Sequence, residues 1–269
     1  MFIIEVENLT KEYKEFKALD KLSLYVRENI IFGLLGPNGA GKTTTIRILS
    51  TLLLPTSGKV KIMGYDIYKD IRKIRQLIGL VPENPFLYEK LTVLENLRLF
   101  ANYYHIPKSK SEKRIKLLLQ KVDMWKWKDE LVQNLSKGMK QRINIIRALV
   151  NDPKILLLDE PASGLDPQTN RTVRELLRNL ITEGKTIVVT SHMMYEMEKL
   201  CDEIAIIDRG QLIASGSPKE LKKSYQHKNI MDLEDIFIEL TGAEIRDRPK
   251  TKKRIFRRKK SENNSSQRI

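Results

Sequence analysis

Residues 30–53 read IIFGLLGPNGAGKTTTIRILSTLL, and this stretch decides the fold. An apolar run, a glycine-rich turn and a helix-compatible run follow one another without interruption, as strand, loop and helix require. Within them, Gly36-Pro37-Asn38-Gly39-Ala40-Gly41-Lys42-Thr43 fits the pattern G-x-x-x-x-G-K-[ST]. Glycines allow backbone N–H groups to turn inward around an anion, since no Cβ obstructs the approach or a positive φ. The helix that follows aims its positive dipole end at the same place. Lys42 is thereby expected to reach the β- and γ-phosphates of a nucleotide, and the Thr43 hydroxyl to ligate Mg²⁺.

Working outward, a partner for this loop stands at residues 155–161, ILLLDEP. An apolar strand ends in two carboxylates, and Pro161 prevents the ladder from continuing. Beside the loop, Asp159 can hold Mg²⁺ through water, while Glu160 can orient or deprotonate the attacking water. Asp159 lies 117 residues beyond Lys42. The two motifs together specify a nucleotide hydrolase.

Other short apolar, β-branched runs recur at 2–6, 22–26, 60–63, 78–81, 186–190 and 203–208. Several are apolar at nearly every position, as in strands covered on both faces. Helical stretches at 42–52, 168–181 and 193–200 interleave with them, which reads as an α/β protein with a mainly parallel sheet. Between residues 87 and 151 the rhythm changes to helices at 92–104, 111–122 and 137–150, without a convincing strand. Thr92 and Glu95 have capping-box spacing, and Ser111 and Ser136 suit helix starts. The expected organisation is a discontinuous α/β core (1–86 and 152–225), an inserted helical subdomain (87–151), a C-terminal helical extension (226–245) and a tail (246–269).

Composition narrows the classes. Hydrophobic residues make up 41% of the chain, which excludes wholesale disorder. No apolar run approaches the ~20 residues of a spanning helix, and residues 1–16 lack the plan of a secretory signal. A single cysteine, Cys201, excludes an intramolecular disulfide and points to a reducing compartment. The net charge is +15, from 49 basic and 34 acidic residues. Residues 246–269 hold 11 Lys/Arg and 2 acids, a net +9, which leaves +6 for the rest. That tail has the composition of a solvated, disordered segment, and its Lys/Arg cluster with Ile255 and Phe256 is suited to anionic lipid.

Residues 135–139, LSKGM, distinguish the branch of nucleotide hydrolase. With the two motifs above, they make the chain resemble an ATP-binding-cassette (ABC) ATPase, over about residues 2–241. The resemblance implies a P-loop NTPase core with an N-terminal antiparallel β element, and ATP with Mg²⁺ as the ligands. It assigns the ATP cradle to Gly36–Thr43 with Thr44, and adenine stacking to Tyr13. It makes Ser163-Gly164-Leu165-Asp166 the D-loop and His192 the switch histidine, which joins Glu160 in catalysis. Glu83 stands where the family has a glutamine reaching Mg²⁺, alongside Thr43 and Asp159. In the signature, Lys137 replaces a glycine and Met139 a glutamine, while Ser136 and Gly138 are retained.

These variants, and DLEDIFIELTG at 232–242, resemble the ABC-2-type exporter branch. The family pairs two subunits head-to-tail, so that the signature of one, residues 136–139, meets ATP held by the other. The implied partners are a separate membrane permease and either a second copy of this chain or a related ATPase subunit. The implied location is the cytoplasmic face of the membrane. A soluble ABC machine acting on nucleic acid or ribosomes is the alternative. It is disfavoured because such proteins carry paired cassettes or long coiled coils, so nucleic acid is not the expected partner.

Overall fold

The computed structural model describes residues 1–225 and 232–241; the basic tail at 246–269, and with it the expectation of lipid contact, lies outside the described residues. The chain opens with two long antiparallel strands, β1 (Phe2–Tyr13) and β2 (Phe16–Arg27). Both run well past the short apolar stretches read from the sequence. The polar continuation Asn8-Leu9-Thr10-Lys11 stays in the ladder through register shifts, with Asn8 and Lys21 at φ 50° and 52°. Such irregularities break the alternation that announces a strand. Strands β4 (Ser57–Ile62) and β5 (Tyr65–Asp66) complete a four-stranded sheet of order β2-β1-β4-β5.

The second sheet has six strands in the order β10-β9-β3-β8-β7-β6. These are β3 (Ile31–Leu35), β6 (Ile78–Val81), β7 (Ile155–Leu158), β8 (Thr186–Ser191), β9 (Glu203–Asp208) and β10 (Gln211–Gly216). Every pairing is parallel except that of β10 on the edge. The central strands are buried residue by residue because two different layers cover their faces. Leu156 and Leu158 join one apolar cluster with the helices, whereas Ile155 and Leu157 join another with the four-stranded sheet. Each fully buried Leu or Ile contributes about 1.5–3 kcal/mol relative to exposure.

Helix α1 (Lys42–Leu49) follows the glycine-rich turn and stops short of residue 52, where Thr51 takes φ 59°. The sequence reading missed α2 (Ile71–Leu77). Helices α3 (Val93–Tyr103), α4 (Lys108–Lys121) and α5 (Lys137–Leu149) form the insertion between β6 and β7. Thr92 and Glu95 form the expected capping box, with the Glu95 N–H donating to Thr92 Oγ1 at 3.2 Å and Thr92 N–H to Glu95 Oε2 at 2.8 Å. Helix α4 starts earlier than Ser111, at Lys108 after Pro107; Ser111 is buried inside it and donates to the Lys108 carbonyl. The insertion is not a separate apolar unit: Val93, Leu97 and Ile115 share one cluster with Val81 and Leu158. Helices α6 (Pro167–Thr182), α7 (Met194–Leu200), α8 (Pro218–Tyr225) and α9 (Leu233–Thr241) complete the described chain. Cys201 is buried, and that burial pushes its thiol well above the ordinary range, so it is inert.

Candidate active site

Four strands deliver functional side chains to one edge of the six-stranded sheet. β3 ends at Leu35 before the glycine-rich turn, β7 at Leu158 before Asp159 and Glu160, β8 at Ser191 before His192, and β6 at Val81 just before Glu83. The strands are parallel and in near register, with Leu35 opposite Ser191, Leu158 opposite Val189 and Val81 opposite Leu158. Their C-terminal ends therefore coincide, which is where open α/β sheets hold ligands.

Gly41 is the residue that turns the loop into α1. Its φ is 106°, and a Cβ there would lie 2.6 Å from Leu19 Cδ2 and 2.8 Å from the Ala18 carbonyl. Glycine alone meets both demands. Helix α1 has no side-chain cap and no acid in its first turn. Its free N–H groups and positive dipole end thus remain for an anion. Over them lies a cleft of about 370 Å³, floored by Pro37–Thr44. Glu83, Glu160, Ser163 and His192 form its other wall.

The charged groups of the cleft hold one another. Lys42, only 6% exposed, donates to the carbonyls of Gly36 (2.7 Å) and Pro37 (3.2 Å) and lies 3.3 Å from Glu160 Oε1. His192 Nδ1 approaches Glu160 Oε2 at 3.0 Å. Asp159 Oδ1 accepts from Thr190 Oγ1 at 2.7 Å and from Thr43 Oγ1 at 3.3 Å. Glu160 takes φ 47°, a left-handed conformation that a non-glycine residue adopts only when its surroundings enforce it. An anion entering this cleft competes with Glu160 for Lys42, so binding and release of the glutamate carboxylate are linked.

The expected site residues do not all meet here. Tyr13 does not line the cleft; its ring is exposed, with the Lys11 ammonium 5.2 Å from its centroid. The aromatic that does is Phe16, paired with Tyr13 across the β1–β2 turn. Two aromatics flank that turn, and the sequence gives no signal for choosing between them. Ser136, Gly138 and Met139 also stay outside the cleft. Ser136 caps α5, accepting from the Met139 N–H at 3.3 Å. Gly138 allows α5 to approach α6 closely, since a Cβ would meet Thr169 Cγ2 at 2.8 Å. Lys137 lines a neighbouring cavity of about 270 Å³ together with Glu83, Glu160 and Ser163. Asp166 caps α6; the Thr169 hydroxyl and N–H, at 2.6 and 2.9 Å, hold its carboxyl below the ordinary range.

Sequence reasoning missed two buried polar groups beside the site. Gln141 Nε2 donates to the Pro161 carbonyl at 3.0 Å, tying α5 to the segment after Glu160. Thr190 stands fully buried at the end of an apolar strand. A polar residue in such a run was the available signal.

Residues 19–163 match the family model described as ABC transporter. The chain belongs to the ABC transporter family. Among relatives of this ABC ATPase, Nod factor export ATP-binding protein I of Ralstonia nicotianae is 44% identical over 219 residues, covering 81% of this chain and 68% of that protein. The protein of the same name from Cupriavidus metallidurans is 41% identical, over 81% of this chain and 72% of that one. Among solved structures, an ATP-binding subunit of an ABC transporter superposes with a TM-score of 0.80 at 30% identity, covering 89% of this chain and 99% of that one. cbiO1 of Clostridium perfringens, part of the ABC transporter complex cbiONQ, gives 0.76 at 30% identity, over 84% and 94%. The nucleotide of this ABC ATPase is accordingly ATP, and its hydrolysis is coupled to transport.

Proposed function

We propose that this ATPase drives export through a separate membrane permease, hydrolysing ATP at an interface between two ATPase subunits. The observation that carries this reading is the convergence of the Gly36–Thr44 loop, Asp159, Glu160 and His192 on one sheet edge. The export-named relatives support the direction of transport. Among the described residues, no helix is long and apolar enough to cross a membrane.

The donor set fits Mg²⁺. The Thr43 hydroxyl and the Asp159 carboxylate are hard oxygen donors brought together where Thr43 Oγ1 meets Asp159 Oδ1 at 3.3 Å, which leaves Oδ2 for the ion or its water, and Glu83 lines the adjoining cleft. Among the described residues, no group of three or more His, Cys, Asp or Glu side chains surrounds a cation position. Phosphate oxygens and water must then complete the shell, as Mg²⁺ ordinarily requires. Bound there, the ion would neutralise charge developing on the phosphates. Lys42 leaves Glu160 for the phosphates, and the freed Glu160 carboxylate takes the proton of the attacking water. His192 holds Glu160 in place and reaches toward the γ-phosphate. Ser136, Lys137, Gly138 and Met139 close the site from a second subunit, with Ser163 and Asp166 beside that interface.

Phe16 supplies the adenine platform. Phe16→Ala is expected to weaken ATP binding by about 1 kcal/mol or more, since base–aromatic stacking is worth about 1–3 kcal/mol. Tyr13→Ala, an exposed substitution, is expected to stay within about 0.5 kcal/mol. Equilibrium titration with ATP ranks the two, and a larger loss for Tyr13→Ala would return the platform to Tyr13.

The permease docks on the helical insertion. A second cleft, of about 300 Å³, opens between helices α3 and α5 and the core, with Phe86 and Tyr103 on its rim, 64% and 75% exposed. Arg147 lies beneath them, its guanidinium 4.8 Å from the Phe100 ring centre and donating to the Leu80 carbonyl at 2.9 Å. Burial pulls Arg147 down to about 10, still protonated at neutral pH. An aromatic groove with a cationic floor suits a short amphipathic helix carrying an acid. Glu83 lies three residues before Phe86, so nucleotide state can be passed to the groove through the Pro82–Leu87 segment. Cysteines placed at Leu52 and Tyr103 should cross-link to the permease's cytoplasmic helix in membranes containing the complex. Cross-links confined to other faces would overturn the assignment.

A further inference from the structure

We propose that Thr190 is a positioning residue for hydrolysis, whose one hydroxyl holds both members of the acid pair, Asp159 by its carboxylate and Glu160 by its backbone N–H. This rests on the assignment of Asp159 and Glu160 made above. Thr190 is the fifth residue of β8, and its side chain is wholly buried. Its Oγ1 donates to Asp159 Oδ1 at 2.7 Å and accepts the Glu160 backbone N–H at 2.9 Å. A hydroxyl has one proton to donate, so the direction of the first bond is settled by the carboxylate, which accepts only. The second bond then uses an oxygen lone pair, and both partners are satisfied.

Each bond has a separate consequence. Asp159 is 5% exposed, and a carboxylate so buried requires donors. Thr190 and Thr43 both address Oδ1. That fixes the rotation of the carboxyl plane and leaves Oδ2 for a cation or its water. Glu160 begins a turn with φ 47°, and its N–H lies beyond the end of the β7 ladder. Without Thr190 Oγ1, that N–H is an orphan in a strained residue, and the residue is free to relax toward an ordinary φ. Relaxation would swing the Glu160 side chain away from Lys42 and His192. Thr43, Asp159, Thr190 and Glu160 thus form one hydrogen-bonded chain from the start of α1 to the backbone N–H of the residue that carries the catalytic carboxylate. Serine preserves this chain; valine preserves the shape of threonine and deletes it.

The test compares Thr190→Val, Thr190→Ser and Thr190→Ala with wild type and Glu160→Gln in the full chain. Two quantities are read: steady-state ATPase, and equilibrium ATP binding in EDTA and across a Mg²⁺ titration. ATP affinity in EDTA reports an intact Lys42 loop and therefore a folded site; Thr190→Ala replaces Thr190→Val if the latter fails this check. Removal of a hydrogen-bond partner behind a metal ligand typically costs 10–100-fold. Thr190→Val is accordingly expected to lower kcat by roughly 10- to 100-fold at unchanged KM, and to raise the Mg²⁺ midpoint by a similar factor. Thr190→Ser should recover most of both. Wild-type kcat and Mg²⁺ midpoint in Thr190→Val would overturn the proposal. So would equal damage in Thr190→Ser, because that result marks packing rather than a hydroxyl. If Glu160→Gln itself turns over like wild type, the assignment of the acid pair has failed instead, and the two failures are told apart.

Discussion

Glu160→Gln is expected to reduce ATP turnover by roughly 10²–10⁴-fold, the usual contribution of a positioned general base. ATP binding should be preserved or tightened, and the reason lies in the contacts of Lys42. Lys42 lies 3.3 Å from Glu160 Oε1 while donating to the Gly36 and Pro37 carbonyls. A phosphate must compete with that carboxylate for the lysine. Glutamine keeps the shape of the side chain and removes the competing charge together with the basicity. ATP should therefore bind, persist and hold subunits together, so that a dimer accumulates on gel filtration with ATP and Mg²⁺. Turnover at the wild-type rate would sink the assignment of Glu160. Weakened ATP binding would sink the competition argument alone.

The candidate nucleotide site is legible in the sequence wherever its geometry is local. Gly36–Thr43 is contiguous, and the glycine at 41 answers a constraint that one residue meets by itself. Asp159 and Glu160 stand at a strand end, a place the apolar run Ile155–Leu158 announces. The sheet carried the rest, since parallel strands with apolar residues at every position bring their C-terminal ends to one edge. What the sequence did not show depends on contacts between distant segments. Thr190 meets Asp159 only because β7 and β8 are neighbours, and Phe16 faces the cleft only because of how the β1–β2 turn is set. Strands β1 and β2 show only about half their length in the sequence pattern, because bulges at Asn8 and Lys21 disturb the alternation. Helix α4 begins before its apparent serine cap for a different reason. A serine is a good cap in isolation, but Ser111 is needed inside the insertion's core, and Pro107 begins the helix instead.

Hydrolysis is expected to require a second subunit, and Ser136 is the residue that exposes this. Within one chain Ser136 lies outside the ATP cleft, committed to capping α5 through the Met139 N–H. Ser136→Ala is an ambiguous test, because loss of the cap costs about 1 kcal/mol on its own. Ser136→Asp separates the roles. Aspartate caps a helix as well as serine does, so the melting temperature should hold. At an interface it would set a carboxylate against the γ-phosphate of the other subunit. Hydrolysis should then fall by more than the roughly 10-fold that loss of one charged hydrogen bond produces, while ATP binding by the monomer is spared. The decisive measurement mixes two inactive proteins, Ser136→Asp and Glu160→Gln. A mixed dimer contains one intact site, built from the loop and Glu160 of the first chain and Ser136 of the second. Partial recovery of ATPase on mixing, rising with protein concentration, is the expected result. If the mixture stays as inactive as its components, or the wild-type rate per subunit is independent of concentration in a demonstrated monomer, then each chain hydrolyses ATP alone and Ser136 is only a helix cap.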